Sequence, residues 1–303
     1  VSYFCYSKFP KVRLSPISPR FQTPMHHPHT SLPVLFVPHG SPNFALHPGA
    51  AGAAIARFAK SLPRPQAIVI VSAHWSTDVA TVGLAEAPQT IHDFGGFPDA
   101  LRSISYPARG NRALGETIAA KLQVSGFATR LDTRRGLDHG AWIPLRQMYP
   151  NADVPVVTLS LQPHRGTEHH LRLGAALADL PAAGVLIVAS GNLTHNLADF
   201  QTAAADTSSP AYVRRFADWI GKQLERGSSE ALLRYRSLAP DATRAHPSEE
   251  HLLPLLVALG AAGNAGNDWR AEPIYQGIDE QVLAMDSFAF WPAAHGVQQG
   301  EAA

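Results

Sequence analysis

Short apolar runs of strand length alternate with longer helical stretches through most of this sequence, and three of the runs lead into a histidine. The three are His39 after the run 34–38, His74 after 67–73, and His195 just after 188–193. Buried apolar runs that alternate with helices predict an α/β fold, a single domain in which helices flank a central, mostly parallel sheet. Ligands of such open sheets collect at the carboxyl ends of the strands. We therefore expect one common site at the strand ends.

The element boundaries follow from the same patterns. The predicted strands are residues 34–38, 67–73, 79–85, 154–161 and 185–190, with an edge strand at 287–291. The predicted helices are residues 50–61, 111–124, 142–148, 167–180, 210–225 and 250–262, and the Gly/Asn-rich segment 260–268 is predicted to be a loop. These elements make one catalytic domain at residues 32–293. Residues 1–31 lack periodicity, which predicts a disordered or non-native extension, and residues 294–303 are predicted to form a flexible tail.

Composition excludes several classes of protein. The formal net charge is +1, so neither nucleic acid nor a membrane surface is an expected partner. The single cysteine, Cys5, rules out an intrachain disulfide framework and suits a reducing cytoplasm. No Gly-rich phosphate loop, His-Glu-x-x-His helix or Gly-x-Ser-x-Gly turn occurs. The 15 histidines instead favour a metal site, since histidine is the commonest metal ligand.

Three further segments hold residues suited to chemistry. Asp138 either orients His139 by a hydrogen bond or simply caps a helix. His195, in a polar turn, can act as a metal ligand or as a general acid/base. Glu250 and His251 fall in the first turn of a predicted helix with Ser248 as its N-cap. Histidine and carboxylate together suit catalytic zinc or non-haem iron(II), and the residues alone leave that choice open.

Six ordered motifs resemble the class III extradiol dioxygenases, specifically the DOPA 4,5-dioxygenase branch. They are Pro38-His-Gly-Ser-Pro42, Ser72-Ala-His-Trp75, Ile91-His-Asp-Phe-Gly-Gly-Phe-Pro98, Gly136-Leu-Asp-His-Gly-Ala-Trp142, Ser190-Gly-Asn-Leu-Thr-His-Asn-Leu197 and Pro247-Ser-Glu-Glu-His-Leu-Leu-Pro254. The resemblance covers roughly residues 33–290. It implies an enzyme that opens the ring of a catechol, a small DOPA-like aromatic diol, with O2.

The resemblance also implies the roles of individual residues. His39, His74 and His251 would hold one divalent metal ion, with Glu250 as an alternative third ligand. Iron(II) is the ion expected for activity, and zinc(II) is an alternative bound species. His195 would be an acid/base or a fourth ligand, and His139 would hydrogen-bond substrate or oxygen. The implied substrate-binding residues are His92, Phe97 and Tyr106.

Two other classes of function use the same ligands. One is a Memo-like metal-binding interaction protein without enzyme activity, and the other is a zinc hydrolase. The presence of both His195 and His139 favours an enzyme over a binding module.

Overall fold

The apolar runs form the middle of an eight-stranded sheet. The computed structural model describes residues 31–203, 208–263 and 268–292, so the predicted N-terminal extension, apart from Ser31, and the predicted C-terminal tail lie outside the described residues. The strands of the sheet are β1 (Val34–Pro38), β2 (Ala67–Ser76), β3 (Ala80–Gly83), β4 (Thr129–Asp132), β5 (Val156–Leu161), β6 (Val185–Gly191), β7 (Trp269–Tyr275) and β10 (Ser287–Pro292). A separate hairpin pairs β8 (Ile278–Asp279) with β9 (Leu283–Ala284).

The strands lie in the order β4-β3-β5-β2-β6-β1-β10-β7. The four central strands, β5, β2, β6 and β1, run parallel to one another. Antiparallel pairs join β10 to β1, β7 to β10 and β3 to β5, so the sheet is mixed at its flanks. The predicted parallel centre is confirmed, and it is the part that carries the three histidine-terminated runs.

Ten helices are found in the described part of the chain. They are α1 (Gly49–Ser61), α2 (Arg112–Val124), α3 (His139–Met148), α4 (Gly166–Ala175), α5 (Leu197–Thr202), α6 (Ala211–Glu225), α7 (Ser229–Leu233), α8 (Tyr235–Leu238), α9 (Ala242–Ala245) and α10 (Leu253–Gly263). Short 3-10 turns occupy Pro42–Ala45, Asp99–Ser103 and Pro163–Arg165. No described helix combines the length and the apolar character needed to cross a bilayer.

The hydrophobic core lies on both faces of the central strands. Helices α3 and α10 both pack against β1, β2 and β6, whose residues are almost all buried. Every residue of α10 is buried, because it also packs along α4. Burial of apolar surface stabilises the folded state by about 25 cal/mol per Å², so this layering is the main source of the protein's stability.

Several predicted elements differ from the structure. The first four residues of the predicted loop 260–268 form the end of α10, and the helix predicted at 167–180 ends at Ala175. Segment 287–291 was expected at an edge, but β10 is an interior strand because β7 pairs with its other side. Strand β7 was not predicted from the sequence, because Glu272 and Pro273 interrupt its apolar pattern. The helix predicted to start at residue 250 begins at Leu253, and a turn holds residues 250–252. The Ser248 hydroxyl donates to the Glu250 carboxylate at 2.9 Å, where an N-cap was expected.

Candidate active site

The sheet topology brings His39 and His74 to one edge. His39 directly follows the last residue of β1. His74 is the third residue from the end of β2, beyond the part of that strand that pairs regularly with β5. Strand β6 runs between these two strands, with Ser72 opposite Ser190 and Pro38 opposite Gly191. Because the three strands are parallel neighbours, their carboxyl ends open onto the same place.

His251 reaches this edge from the turn before α10. The backbone N–H of Asn192 donates to the His251 carbonyl at 3.0 Å, which fixes the turn against the end of β6. The approach requires glycine at position 191, since a Cβ there would stand 2.2 Å from the His251 carbonyl oxygen. The glycine in the sequence motif is therefore explained by close contact between two backbone segments.

Three imidazole nitrogens converge at the centre of the site. Nε2 of His74 lies 3.1 Å from Nε2 of His39 and 3.2 Å from Nε2 of His251. His39 and His251 are buried, while the His74 side chain is 23% exposed and forms the open side of the group. The three residues predicted as ligands thus form one cluster.

The other ring nitrogens of these histidines have side-chain partners. Nδ1 of His39 lies 3.1 Å from the Ser190 hydroxyl, and Nδ1 of His251 lies 3.0 Å from Oε1 of Glu250. A carboxylate accepts a hydrogen bond, so Nδ1 of His251 carries the proton and its Nε2 presents a lone pair. Partners of this kind orient metal-bound histidines and fix their tautomer.

This arrangement fits a divalent metal ion. Two nitrogens held about 2.0–2.1 Å from a common ion at about 90–110° stand about 2.8–3.4 Å apart, a range that includes the distances seen here. Lone pairs that face one another at such distances repel unless a cation lies between them. Glu250 supports His251 through Nδ1, which favours His251 over Glu250 as the third ligand.

His139 stands beside the cluster at the first position of α3. Its ring centroid is 3.9 Å from that of His74, and Gly140 permits the approach, since a Cβ there would meet the Ser72 hydroxyl at 2.4 Å. The carboxylate that orients His139 is Asp93. Its Oδ1 accepts both the backbone N–H and Nδ1–H of His139, at 2.9 and 3.0 Å.

Asp138 is the N-cap of α3, one of the two roles expected for it. Its carboxylate accepts from the Ala141 N–H as the N-cap of α3, from the Ser72 hydroxyl at 2.6 Å and from Arg135 at 2.6 Å. The idea that it orients His139 is wrong, because a residue at an N-cap points along the helix start rather than toward its neighbour. Sequence reasoning missed Asp93, although it lies next to His92 in a motif already singled out.

Burial depresses the basicity of these histidines. Desolvation, followed by repulsion from neighbouring histidines, holds the pKa values of His39 and His251 well below the ordinary value and lowers the pKa of His74 to about 3. Desolvation would raise the pKa of Asp93, but its hydrogen bonds and charge interaction with His139 lower it to about 2. All three ligand histidines are thus neutral near pH 7 in the absence of metal, the form that binds metal.

His195 packs against the ring of His251. The two rings stack in parallel, with centroids 3.4 Å apart and planes within 4°. The backbone N–H of His195 donates to the Ala245 carbonyl, which anchors the turn after β6. Desolvation lowers the pKa of His195 to about 4, so it is a neutral imidazole able to accept a proton. It is not part of the three-nitrogen cluster, but with Glu250 and His251 it forms a second group whose potential ligand atoms lie within 4.8 Å of one another, and it lines the cavity.

A cavity of about 890 Å³ opens above these histidines. Its floor includes His74, His139, His195 and His251. Its walls include Phe94, Leu197, Phe200 and Leu283. Phe94 and Leu197 lie in two of the six sequence motifs, whereas Phe200 and Leu283 lie outside all of them and were not identified from the sequence.

Only one of the three residues expected to bind substrate reaches the cavity. Phe97 lines it, whereas His92 and Tyr106 do not. Nε2 of His92 lies 2.9 Å from the Ile104 carbonyl, on the outer side of the loop 91–98. Tyr106 is 1% exposed and its hydroxyl donates to the Tyr149 carbonyl at 3.0 Å. Both hold the loop in place rather than face the cavity.

The chain matches a family model over residues 35–282, described as the catalytic LigB subunit of aromatic ring-opening dioxygenase. The chain belongs to this family. The match covers every histidine of the cluster, and the family implies a bound metal, which the histidine cluster is able to hold. The interaction-protein and zinc-hydrolase alternatives are therefore not favoured.

Several characterised proteins are similar to the chain over most of its length. The 4,5-DOPA dioxygenase extradiol of Beta vulgaris is 42% identical over 228 residues, which are 75% of this chain and 83% of that protein. The protein of the same name from Escherichia coli K12 is 40% identical over 239 residues, 77% of this chain and 86% of that one. The chain is a metal-dependent extradiol dioxygenase, an oxidoreductase that opens aromatic rings.

A solved structure has the same fold. The crystal structure of an uncharacterized protein from Escherichia coli K12 superposes with a TM-score of 0.70 and 31% sequence identity. The alignment covers 85% of this chain and 99% of that one. The α/β fold predicted from the apolar runs is thereby confirmed.

Proposed function

We propose that the chain cleaves the ring of a DOPA-like catechol at one divalent metal ion held by His39, His74 and His251. The observation that carries this proposal is the convergence of the three Nε2 atoms: that of His74 lies within 3.2 Å of both of the others. The name of the Beta vulgaris and Escherichia coli relatives supports a catechol of this class. Iron(II) is the active ion we propose, and zinc(II) suits the same three nitrogens.

The ion would supply acidification of the diol and a shared coordination sphere that brings diol and oxygen together. The chain's own residues contribute orientation and proton transfer. His195, neutral and facing the cavity, accepts a proton from a diol hydroxyl and returns it later. Its stacking on His251 keeps this base beside the ligand cluster without placing it among the ligands.

His139 orients the substrate on the opposite side of the ligand cluster. Because Nδ1–H of His139 donates to Asp93, Nε2 is the ring nitrogen left for the substrate. That atom forms a hydrogen bond with the second oxygen of the diol. Asp93 is therefore a positioning residue that fixes the tautomer of His139. Its Oδ2 lies 3.8 Å from Nδ1 of His74, so it also faces a proposed ligand.

The cavity walls exclude water from the reaction. Phe94 stands edge-on to His139, with ring centroids 5.7 Å apart, and covers one side of the floor. A closed apolar wall strengthens each polar contact inside and protects reactive species from hydrolysis. The loop that carries Phe94 is tied to α3 through Asp93, so substrate positioning and water exclusion depend on the same carboxylate.

Metal reconstitution followed by oxygen uptake tests this function. The protein is stripped of metal, loaded anaerobically with iron(II) or with zinc(II), and mixed with a panel of catechols before air is admitted. We expect oxygen uptake and a yellow ring-opened product with iron(II), and neither with zinc(II). An iron-loaded protein that consumes no oxygen with any catechol would contradict the proposal.

A further inference from the structure

We propose that the hairpin of β8 and β9 is the wall on which the ring of the bound diol packs. Leu283 makes the contact with the ring, and Thr194 is a positioning residue that holds Leu283 in a fixed relation to His195. The inference rests on the ring-cleaving function proposed above. It concerns the ring itself rather than the substituent that the ring carries.

The first observation is the depth at which Leu283 lies in the cavity. Its side chain lines the cavity but is only 3% exposed, the same value as that of His251. Leu197, another leucine of the lining, is 58% exposed. Leu283 therefore faces the deep part of the cavity beside the histidines, where the ring of a diol lies when its oxygens reach the metal site. An aliphatic side chain at this depth gives the ring an apolar surface to pack on.

The second observation is how Thr194 holds the hairpin. Its hydroxyl donates to the Val282 carbonyl at 2.7 Å and accepts the Ala284 N–H at 2.8 Å. These are the backbone groups on either side of Leu283. Thr194 is completely buried, and its hydroxyl satisfies a buried acceptor and a buried donor at once, since it has both capacities. Because His195 follows Thr194 directly in the chain, the wall and the proposed base are fixed to each other.

The third observation is that the turn of the hairpin needs support from other segments. Glu280 and Gln281 have φ values of 43° and 64°, a left-handed conformation that residues with a side chain rarely adopt. Such residues persist where the surrounding structure holds them, and they cluster at active sites. Nδ2 of Asn43, a residue of the cavity lining, donates to Oε1 of Glu280 at 3.0 Å. The turn is thus supported by Asn43 and Thr194, which lie in segments that also carry site histidines.

The base of the hairpin is also fixed. The Met285 N–H donates to the Gly277 carbonyl at 2.8 Å, which closes the hairpin below β8 and β9. A Cβ at Gly40, the residue after His39, would stand 3.0 Å from Cε of Met285. Contacts at the tip, the middle and the base therefore restrict movement of the hairpin. A wall held in this way keeps the ring oriented toward the groups that react with it.

A double-mutant cycle on binding tests the inference. Anaerobic calorimetry gives the dissociation constants of DOPA and of unsubstituted catechol for zinc-loaded wild type, Thr194→Val, Leu283→Ala and the double variant. Leu283→Ala should weaken the binding of both diols about fourfold, the fold-change that corresponds to one buried methylene group. Thr194→Val keeps the shape but loses the hydroxyl, and should weaken binding by about the same factor. The double variant should bind no more weakly than Leu283→Ala, because Thr194 acts through Leu283.

Turnover shows whether Thr194 positions the reacting groups. In the iron-loaded protein, Thr194→Val should lower kcat about tenfold with metal content kept, since the ring is no longer fixed relative to His195. Thr194→Ser keeps the hydroxyl and should return kcat and the dissociation constants to within about twofold of the wild type. Thr117→Val is the matched control. Its exposed hydroxyl also donates to a backbone carbonyl, that of Ala113 at 2.9 Å, but it lies on α2 outside the cavity lining, and we expect no change.

Three results would overturn the inference. Unchanged binding of both diols by Leu283→Ala would remove the wall. Effects of the two substitutions that multiply in the double variant would show that Thr194 does not act through Leu283. Weaker binding of DOPA alone would place Leu283 against the substituent rather than the ring. Should Thr194→Val not fold, Thr194→Cys takes its place in the cycle. Its thiol is a weak donor and acceptor, so we expect a smaller factor that again disappears beside Leu283→Ala.

The same measurements separate this inference from the proposed function. If the iron-loaded wild type cleaves neither diol, ring cleavage fails, while the binding cycle with the zinc-loaded protein still decides the roles of Leu283 and Thr194. If the diols are cleaved but the cycle shows no coupling, the proposed function stands and the inference fails. A zinc-loaded wild type that binds neither diol would overturn both.

Discussion

Two groups of wholly or largely buried histidines can be compared in the described part of the chain, and they differ in where their ring nitrogens point. In the metal-site group, His39, His74 and His251, the Nε2 atoms face one another. In the structural group, His170 and His246, ring nitrogens bind the backbone. His170 donates from Nδ1 to the Gly166 carbonyl at 2.6 Å and accepts the Gln162 N–H at Nε2, at 3.1 Å.

The difference shows what identifies a ligand histidine. Burial does not separate the groups, since desolvation lowers the pKa of His170 to about 4 and that of His246 to about 3. The convergence of free nitrogens does separate them. His246 donates from Nε2 to the Leu193 carbonyl at 2.7 Å, and its buried Nδ1 has no hydrogen-bond partner. Only in the metal-site group do free Nε2 atoms of different histidines face one another, as a shared ion would require.

The largest expected effect comes from the central residue of the metal-site group. His74→Ala should bind less than about a tenth of the wild-type metal, because its Nε2 lies next to both other ligand nitrogens and losing one of three ligands removes most of the affinity. Elemental analysis of the purified variant measures this. His170→Gln, in the structural group, should retain full metal content. Equal metal loss in both variants would erase the distinction between the groups.

The next effect separates ligand from acid/base at His195. His195→Gln should retain the metal and bind catechol, while kcat falls about 10²–10⁴-fold, the usual contribution of general acid/base catalysis. Glutamine keeps polar contacts but cannot take up the proton. Steady-state kinetics at saturating iron(II), with metal analysis, measure both properties. Loss of metal that added iron(II) restores along with the rate would instead move His195 into the metal-site group.

A smaller effect is expected at the positioning residue Asp93. Asp93→Asn should lower kcat about 10–100-fold with metal content kept, as for other residues that orient an active-site histidine. The amide still accepts one hydrogen bond but no longer fixes the His139 tautomer as a carboxylate does. Asp99→Asn, on an exposed acid six residues further along, is the control. Asp93→Glu should recover part of the rate. If Asp93→Asn instead raises KM and leaves kcat unchanged, Asp93 only shapes the loop.

The smallest effect concerns acid stability and the structural group. The pKa of His170, about 4 when folded, lies below its ordinary value of 6.5, so its contribution to stability is present above pH 6.5 and is lost as the pH falls toward 4. The His170→Gln variant has no imidazole to protonate at this position. In the metal-free state, its free energy of unfolding should therefore fall less between pH 7 and pH 4 than that of the wild type, by about 3 kcal/mol at most. Denaturant titrations of both proteins measure it. Parallel curves would show that His170 is not protonated preferentially on unfolding.

The sequence predicted the parts of this molecule that depend on uninterrupted patterns. The runs of β2 and β6 are apolar except for a serine near the end of each, so both the strands and the histidines near their ends were identifiable. Strand β7 was not, because its pairing with β10 outweighs an unfavourable local sequence. Asp93 was not identified as the partner of His139, because only the adjacent Asp138 is visible in the sequence, whereas the contact across 46 residues exists only in the fold.

The path of the chain through the metal site has a consequence for how the enzyme is made. His39 and His74 belong to the first quarter of the chain, but His251 is set in place only when its carbonyl receives the Asn192 N–H at the end of β6. A growing polypeptide on the ribosome therefore has two of the three imidazoles long before the third emerges. If the three histidines hold the ion as proposed, metal capture would be postponed until nearly the whole domain has been synthesised, because a pair of imidazoles binds a divalent ion far more weakly than a complete set. Uptake of the ion would then report that the fold has closed.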